Sequence, residues 1–181
     1  LERLVHRVLT EADAEQKNCK KEAKGEPIFD MIHGVPGAGK SQIIAWIRDA
    51  FEQVLGWTHG VQFVCIAVQN TMAAHIDGQT IHHWIGIPVA DTDGSCTTCA
   101  NNKFSTRCQP LRFLIIDEVS MISAKLFAQL EILVSKVIRI RSGYKHRIDG
   151  SSRPFGGVNV LSFRGLVANQ TSNRNCIVYQ S

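Results

Sequence analysis

Apolar residues recur along this chain in two rhythms, one of strands and one of helices. Residues 27–32 and residues 61–68 form short apolar runs that read as strands. Between them Ile43, Ile47, Ala50, Phe51 and Val54 fall on one helical face, with Gly56 as a natural stop. Residues 112–118 form an apolar run that ends in two acids. That pattern predicts a buried parallel strand delivering carboxylates at its C-terminal edge. Leu126, Phe127, Leu130, Leu133, Val134, Val137 and Ile138 keep the 3.6-residue period of a helix facing a core, and the stripe is packing rather than chemistry. Upstream, residues 11–24 read as a charged helix within an N-terminal segment of residues 1–26. Strands alternating with helices predict an α/β fold of three layers, a parallel sheet covered on both faces.

Composition narrows the class without naming a chemistry. The 181 residues suffice for one full core and are too few for two ordinary domains. Hydrophobic residues make up 44% and charged residues 20%, the balance of a soluble globular protein. No apolar run is long enough to span a bilayer and no secretory signal opens the chain, so no membrane partner and an intracellular setting with reduced thiols are expected. The first residue, Leu1, fits a fragment of something longer. The net charge of +4 is compatible with nucleic acid but not diagnostic of it. Lys136, Arg139, Arg141, Lys145, His146, Arg147 and Arg153 read equally well as a solvated helix end and loop or as a phosphate-tracking patch. Of six cysteines, Cys96, Cys99 and Cys108 have a spacing that could approach zinc, but a structural site takes four ligands and no fourth is evident, so zinc is not expected.

The chemistry concentrates in Gly34-Val35-Pro36-Gly37-Ala38-Gly39-Lys40-Ser41, a phosphate-binding loop between the first strand and the first amphipathic helix. Its glycines let successive backbone N–H groups turn inward around phosphate oxygens. Lys40 brings a positive charge to the same oxygens, and the Ser41 hydroxyl is placed to hold Mg²⁺. Ser41 also opens a helix, whose dipole favours an anion there. The acids after the third strand complete the pattern: Asp117 for the Mg²⁺ shell, Glu118 to orient or deprotonate an attacking water. The expected fold is therefore a P-loop NTPase lobe of RecA-like type that binds ATP. The spacing is not Gly-x-Gly-x-x-Gly, which disfavours a dinucleotide fold. A non-motor nucleotide-binding module, acting by interaction or as a relic, is the alternative; a small-molecule kinase would need a lid and a set of substrate-binding arginines that the sequence does not display.

Four segments in order resemble the Pif-type DNA helicases (Pif-one and its RecD-like relatives, superfamily one, B branch). Gly34 to Ser41 matches the first motif. Thr71-Met72-Ala73-Ala74-His75-Ile76-Asp77-Gly78-Gln79-Thr80-Ile81-His82 is similar to a family segment with two alanines, Ile and then Gly-x-Thr-Ile/Leu-His. Asp117-Glu118-Val119-Ser120-Met121-Ile122 nearly reproduces Asp-Glu-Ile-Ser-Met-Val, and Pro154-Phe155-Gly156-Gly157-Val158 resembles the Pro-Phe-Gly-Gly that leads into the next strand. The resemblance covers residues 27–161. It implies an ATP-dependent helicase moving 5′ to 3′ on single-stranded DNA, acting in repair, recombination or telomere maintenance in nucleus or mitochondrion. It also implies that Thr80 and His82 line the strand groove. His83 and Trp84 could add stacking or a polar contact, although without the family residues 81–84 read as a half-buried helix or loop.

The chain also departs from the family. Thr71 is followed directly by Met72 where the family usually has Gly, and Gln16 lies in a charged helix that does not match the expected adenine-reading motif. Residues 91–110 read as an insertion. After Leu161 the family expects a strand and then Gly-Asp-Phe/Leu-x-Gln, but the chain reads Arg164-Gly165-Leu166-Val167-Ala168-Asn169-Gln170-Thr171-Ser172. Back-translation with free third bases permits Phe-Gly-Asp-Leu-Trp-Gln-Ile-Lys-Pro-Pro in another frame, which points to a frameshift, a mis-spliced exon or a decaying gene. Residues 162–181 are accordingly expected to be a poorly ordered tail outside the family pattern.

Overall fold

In the computed structural model the apolar runs become strands of one sheet. The structure describes residues 2–17, 25–86, 104, 108–138, 145–165 and 177–180. The strands are β1 (Phe29–Gly34), β2 (Phe63–Ala67), β3 (Gln79–Thr80), β4 (Phe113–Ile116), β5 (Asn159–Gly165) and β6 (Ile177–Gln180). Their order is β3-β2-β4-β5-β1-β6. β1 to β5 are parallel, and β6 runs antiparallel to β1 on the far edge. The helices are α1 (Glu2–Lys17), α2 (Lys40–Asp49), α3 (Asn70–His75), α4 (Ile81–Ile85) and α5 (Ala124–Val137). A serine and a threonine cap two of them: Ser123 Oγ accepts from Leu126 N–H at the start of α5, and Thr80 Oγ1 accepts from His83 N–H at the start of α4.

Full burial of β2 and β4 hides a period of two. Val64, Ile66, Leu114, Ile116 and Val160 face one core, with α4 and α5. Phe63, Cys65, Ala67, Phe113, Ile115, Leu161 and Phe163 face the other, with α2 and α3 and with Leu4, Val8 and Ala12 of α1. A sheet buried on both faces needs apolar residues at every position, which is why its strands read as unbroken apolar runs. Phe51 centres the second core, with ring centroids 5.0 Å from Trp57, 5.1 Å from Phe63 and 5.1 Å from Phe113.

Two expectations change in detail. Val54 does not face the core but is 78% exposed. The chain widens into a π-turn over Ala50–Val54, with Leu55 N–H bonded to Ala50 C=O, and the extra residue per turn rotates Val54 outward. At the other end β5 runs on to Gly165 and β6 pairs with β1, so residues 162–165 and 177–180, expected in a poorly ordered tail, belong to the sheet. Phe163 is fully buried and pairs with Ile32 of β1. Residues 166–176, which carry most of the expected tail, lie outside the described residues, as do residues 91–103 of the expected insertion. Of the three cysteines weighed for zinc, Cys96 and Cys99 lie there too; Cys108 is buried inside the first core.

The N-terminal helix reaches further into the molecule than its charge suggests. Glu11 is fully buried, with Oε1 accepting from Arg7 at 2.6 Å and from Asn159 Nδ2 at 2.8 Å, and Oε2 accepting from Arg112 at 2.7 Å. Asn159 Oδ1 in turn accepts from Arg7 Nε and from Ile28 N–H. Removing one partner of such a buried network leaves charges unpaired and costs about 3–5 kcal/mol. Glu11→Ala should therefore lower unfolding stability by roughly that amount in urea titration; a loss below about 1 kcal/mol would show that α1 is not part of the cooperative unit.

Candidate functional site

The phosphate loop leaves β1 at Gly34 and enters α2 at Lys40, at the C-terminal edge of the parallel strands. Gly37 and Gly39 adopt φ of +78° and +82°, a region L-residues rarely enter, so the glycines are dictated by backbone shape. A Cβ built on either meets no atom within 4 Å, so the space above the loop is open. Pro36 is exposed and Ala38 N–H bonds back to Val35 C=O at 3.1 Å, closing the loop on itself. Lys40 is only 8% exposed, and its Nζ donates to Gly34 C=O at 3.1 Å and to Val35 C=O at 3.4 Å. The ammonium is thus held against the loop from within, while Ser41 stands exposed beside it in the first turn of α2.

β4 delivers the carboxylates. Asp117 is 5% exposed at the end of that strand. Burial pushes its carboxyl above the usual carboxylate range, and the neighbouring Glu118 charge adds to this; the Glu118 N–H, which bonds Asp117 Oδ1 at 3.0 Å, and the charges of Lys40 and His75 pull it back. Lys40 and Asp117, 77 positions apart in sequence, therefore share one electrostatic neighbourhood. His75 belongs to it too; the sequence showed it only as part of a family segment.

Glu118 turns into the left-handed region, φ 48° and ψ 51°, a conformation costing a non-glycine residue about 1–3 kcal/mol. The turn carries its carboxylate across to β5, where Oε2 accepts from Gly165 N–H at 3.0 Å. A Cβ on Gly165 would stand 3.0 Å from Oε2 and 3.1 Å from Oε1, so any larger residue would press on the carboxylate. Gly165 had no role in the sequence reading, because its meaning depends on β5 lying beside β4.

Thr80 and His82 lie at the same edge of the sheet but far along it. β3 and β1 are four strands apart in the sheet order, about 19 Å at ~4.8 Å per strand. Both residues are half-buried, and Thr80 Oγ1 is engaged in capping α4. Gly78 fits there because a Cβ would fall inside van der Waals contact with the Cys65 carbonyl of β2. Trp84 is not available for stacking on a base: it is 3% exposed and packs edge-on against Phe104, with centroids 5.2 Å apart.

The donors fit a metal-bound nucleotide: an open glycine cradle, a buried ammonium, an exposed hydroxyl and a carboxylate lifted by burial. A parallel sheet with these groups at its C-terminal edge defines a P-loop NTPase lobe of the RecA-like kind. The family described as PIF1-like helicase matches residues 12–166, and the chain belongs to that family. Over 144 residues it is 38% identical to the ATP-dependent DNA helicase Pif1 of Psychrobacter sp., covering 76% of this chain and 18% of that protein. Over 143 residues it is 29% identical to human ATP-dependent DNA helicase PIF1, covering 76% of this chain and 19% of the relative. Among solved structures, Pif1 helicase from Candida albicans superposes with a TM-score of 0.58 at 22% identity, over 87% of this chain and 33% of that one. Bacteroides Pif1 in complex with ADP-AlF3 and ssDNA gives 0.54 at 23% identity, over 77% and 28%. The chain thus spans about a fifth of these curated relatives and about a third of the solved chains. Among the described residues no helix is long and apolar enough to cross a membrane.

The raised Asp117 has a consequence for stability. The folded state binds the Asp117 proton more tightly than the unfolded state, so this group's stabilising contribution is full below the ordinary value of 3.8 and is lost as pH rises through the folded value. Asp117→Asn removes the buried charge. It should raise the melting temperature at pH 7, and the advantage should shrink as the pH approaches 3.8. Equal melting temperatures across that range would show that the carboxylate is not strained by burial.

Proposed function

We propose that this chain is the ATP-binding lobe of a Pif-type 5′ to 3′ DNA helicase, a lobe that binds nucleotide but does not unwind DNA by itself. The observation that carries this reading is the convergence of the glycine cradle, buried Lys40 and the Asp117–Glu118 pair on one edge of the sheet. In this assignment Gly34, Pro36, Gly37, Ala38 and Gly39 shape the cradle, and its N–H groups and Lys40 hold the phosphates. Ser41 and Asp117 hold Mg²⁺, which when bound draws charge off the phosphoryl oxygens. Glu118, steadied by Gly165 N–H, orients a water and takes its proton as the water oxygen bonds the γ-phosphorus and the bridge to ADP breaks. Thr80 and His82 contact the sugar–phosphate backbone of single-stranded DNA. Full turnover in such motors also needs transition-state charge stabilised by an arginine from a second lobe, and the residues here span about a fifth of the curated relatives. Repair, recombination or telomere maintenance, in nucleus or mitochondrion, is the setting the family suggests.

Purified chain should bind ATP in a Mg²⁺-dependent manner, and Lys40→Ala should weaken binding at least about tenfold, with little hydrolysis and no stimulation by single-stranded DNA. Wild-type binding no tighter than that of Lys40→Ala would sink the nucleotide assignment. Hydrolysis stimulated by DNA and lost in Lys40→Ala would overturn the claim that the lobe is inert alone.

The reading frame after Gly165 is a separate proposal, supported by the family match stopping at residue 166. Sequencing the transcript across the Val160 codon should reveal an overlapping frame encoding the Gly-Asp…Gln…Pro-Pro series, and a transcript without one would refute it.

A further inference from the structure

Between α1 and α2 lies an apolar groove about 570 Å³ in volume, lined by none of the phosphate-loop residues. That is the size of cavities that take small organic ligands, about 300–1,000 Å³. Its rim is formed by Val5 and Leu9 of α1 and by Trp46 and Val54, exposed by 50%, 59%, 63% and 78%. Phe51 and Ile32 line it deeper and are buried. Four large apolar side chains left open around one concavity are unusual for a surface that only meets water.

One polar group breaks this apolar lining. Asp30 of β1 lines the groove with its side chain only 8% exposed. Its Oδ1 is buried without a hydrogen-bond donor, and the nearest cation, the Arg3 guanidinium, stops at 3.5 Å with 42% of its side chain in solvent. A carboxylate largely withdrawn from water and paired only with a partly exposed guanidinium at 3.5 Å is left short of compensation. An uncharged occupant would cover the carboxylate and increase that deficit, whereas a cation would remove it.

We propose that this groove is a binding site for a hydrophobic cation: a small molecule with an aliphatic or aromatic body and one ammonium group that pairs with Asp30. The body lies along Val5, Leu9, Trp46 and Val54, and the ammonium takes the place that Arg3 fills incompletely. The occupant touches both β1 and α2, the two elements that the phosphate loop joins.

Trp46 supplies the readout, because Trp57 and Trp84 are 5% and 3% exposed and lie away from the rim. Titration of the intact chain with cyclohexylbutylammonium and with the neutral cyclohexylbutanol, followed by Trp46 fluorescence and the indole N–H resonance, tests the proposal. The cation should bind about tenfold tighter than the alcohol, the size of effect a partly buried ion pair gives. Asp30→Asn should erase that preference while leaving alcohol binding in place. Arg3→Ala should strengthen cation binding severalfold by removing the internal competitor, and this surface change leaves the core intact if Asp30→Asn proves unstable. Equal affinities for the two probes, binding of neither, or a cation preference that Arg3→Ala weakens would overturn the assignment.

Discussion

One buried carboxylate sets the frame for the rest of the molecule. Glu11 lies between the guanidiniums of Arg7 and Arg112, and Asn159 ties it to the backbone at Ile28. These contacts fall where β1, β4 and β5 begin, so they fix the relative height of three neighbouring strands. β4 has four residues, a length of about 13 Å at ~3.3 Å each. Over so short a span a slip at the start reappears undiminished at the end, where Gly34 pairs with Gly165 and Glu118 reaches across to it. The site is thus positioned from the far side of the sheet. A buried ionic network adds little net stability over apolar packing, and what it contributes here is register.

That network was the least legible part of the sequence. Arg7, Glu11 and Arg112 carry full charges, and charged residues ordinarily face water; only the convergence of Glu11 and Arg112 across 101 positions reveals another role. The opposite holds for β2 and β4, where continuous apolar runs announce strands buried on two faces, and for the phosphate loop, where residue identity alone states the backbone shape. Val54 was misplaced because a 3.6-residue period cannot anticipate a π-turn. Trp84 offered an aromatic face to a reader of sequence and a core residue to the fold, since α4 turns it onto Phe104. Gly165 carries its meaning only through a strand neighbour 47 residues distant.

The groups at the strand ends are each held at a cost. Asp117 is an acid that burial pushes toward its neutral form, and Glu118 occupies a backbone conformation that favours glycine. Packing around them is dense enough to sustain both, since Phe113, Leu114, Ile115 and Ile116 just before them are fully buried. Strain concentrated beside an open cradle, with rigid strands behind it, is the pattern of a site shaped for a ligand rather than for stability.

The segment over residues 70–85 links the two ends of this edge. His75, closing α3, contributes to the potential at Asp117, while Thr80, five residues on, starts α4 at the outermost parallel strand. Between them Gly78 lies so close to the Cys65 carbonyl of β2 that no side chain fits at that position. The surroundings of Asp117 and the start of α4 at Thr80 thus belong to one short piece of chain. Its glycine, its capping threonine and its histidine have separate local reasons to be present, and together they join the surroundings of Asp117 to the outermost parallel strand.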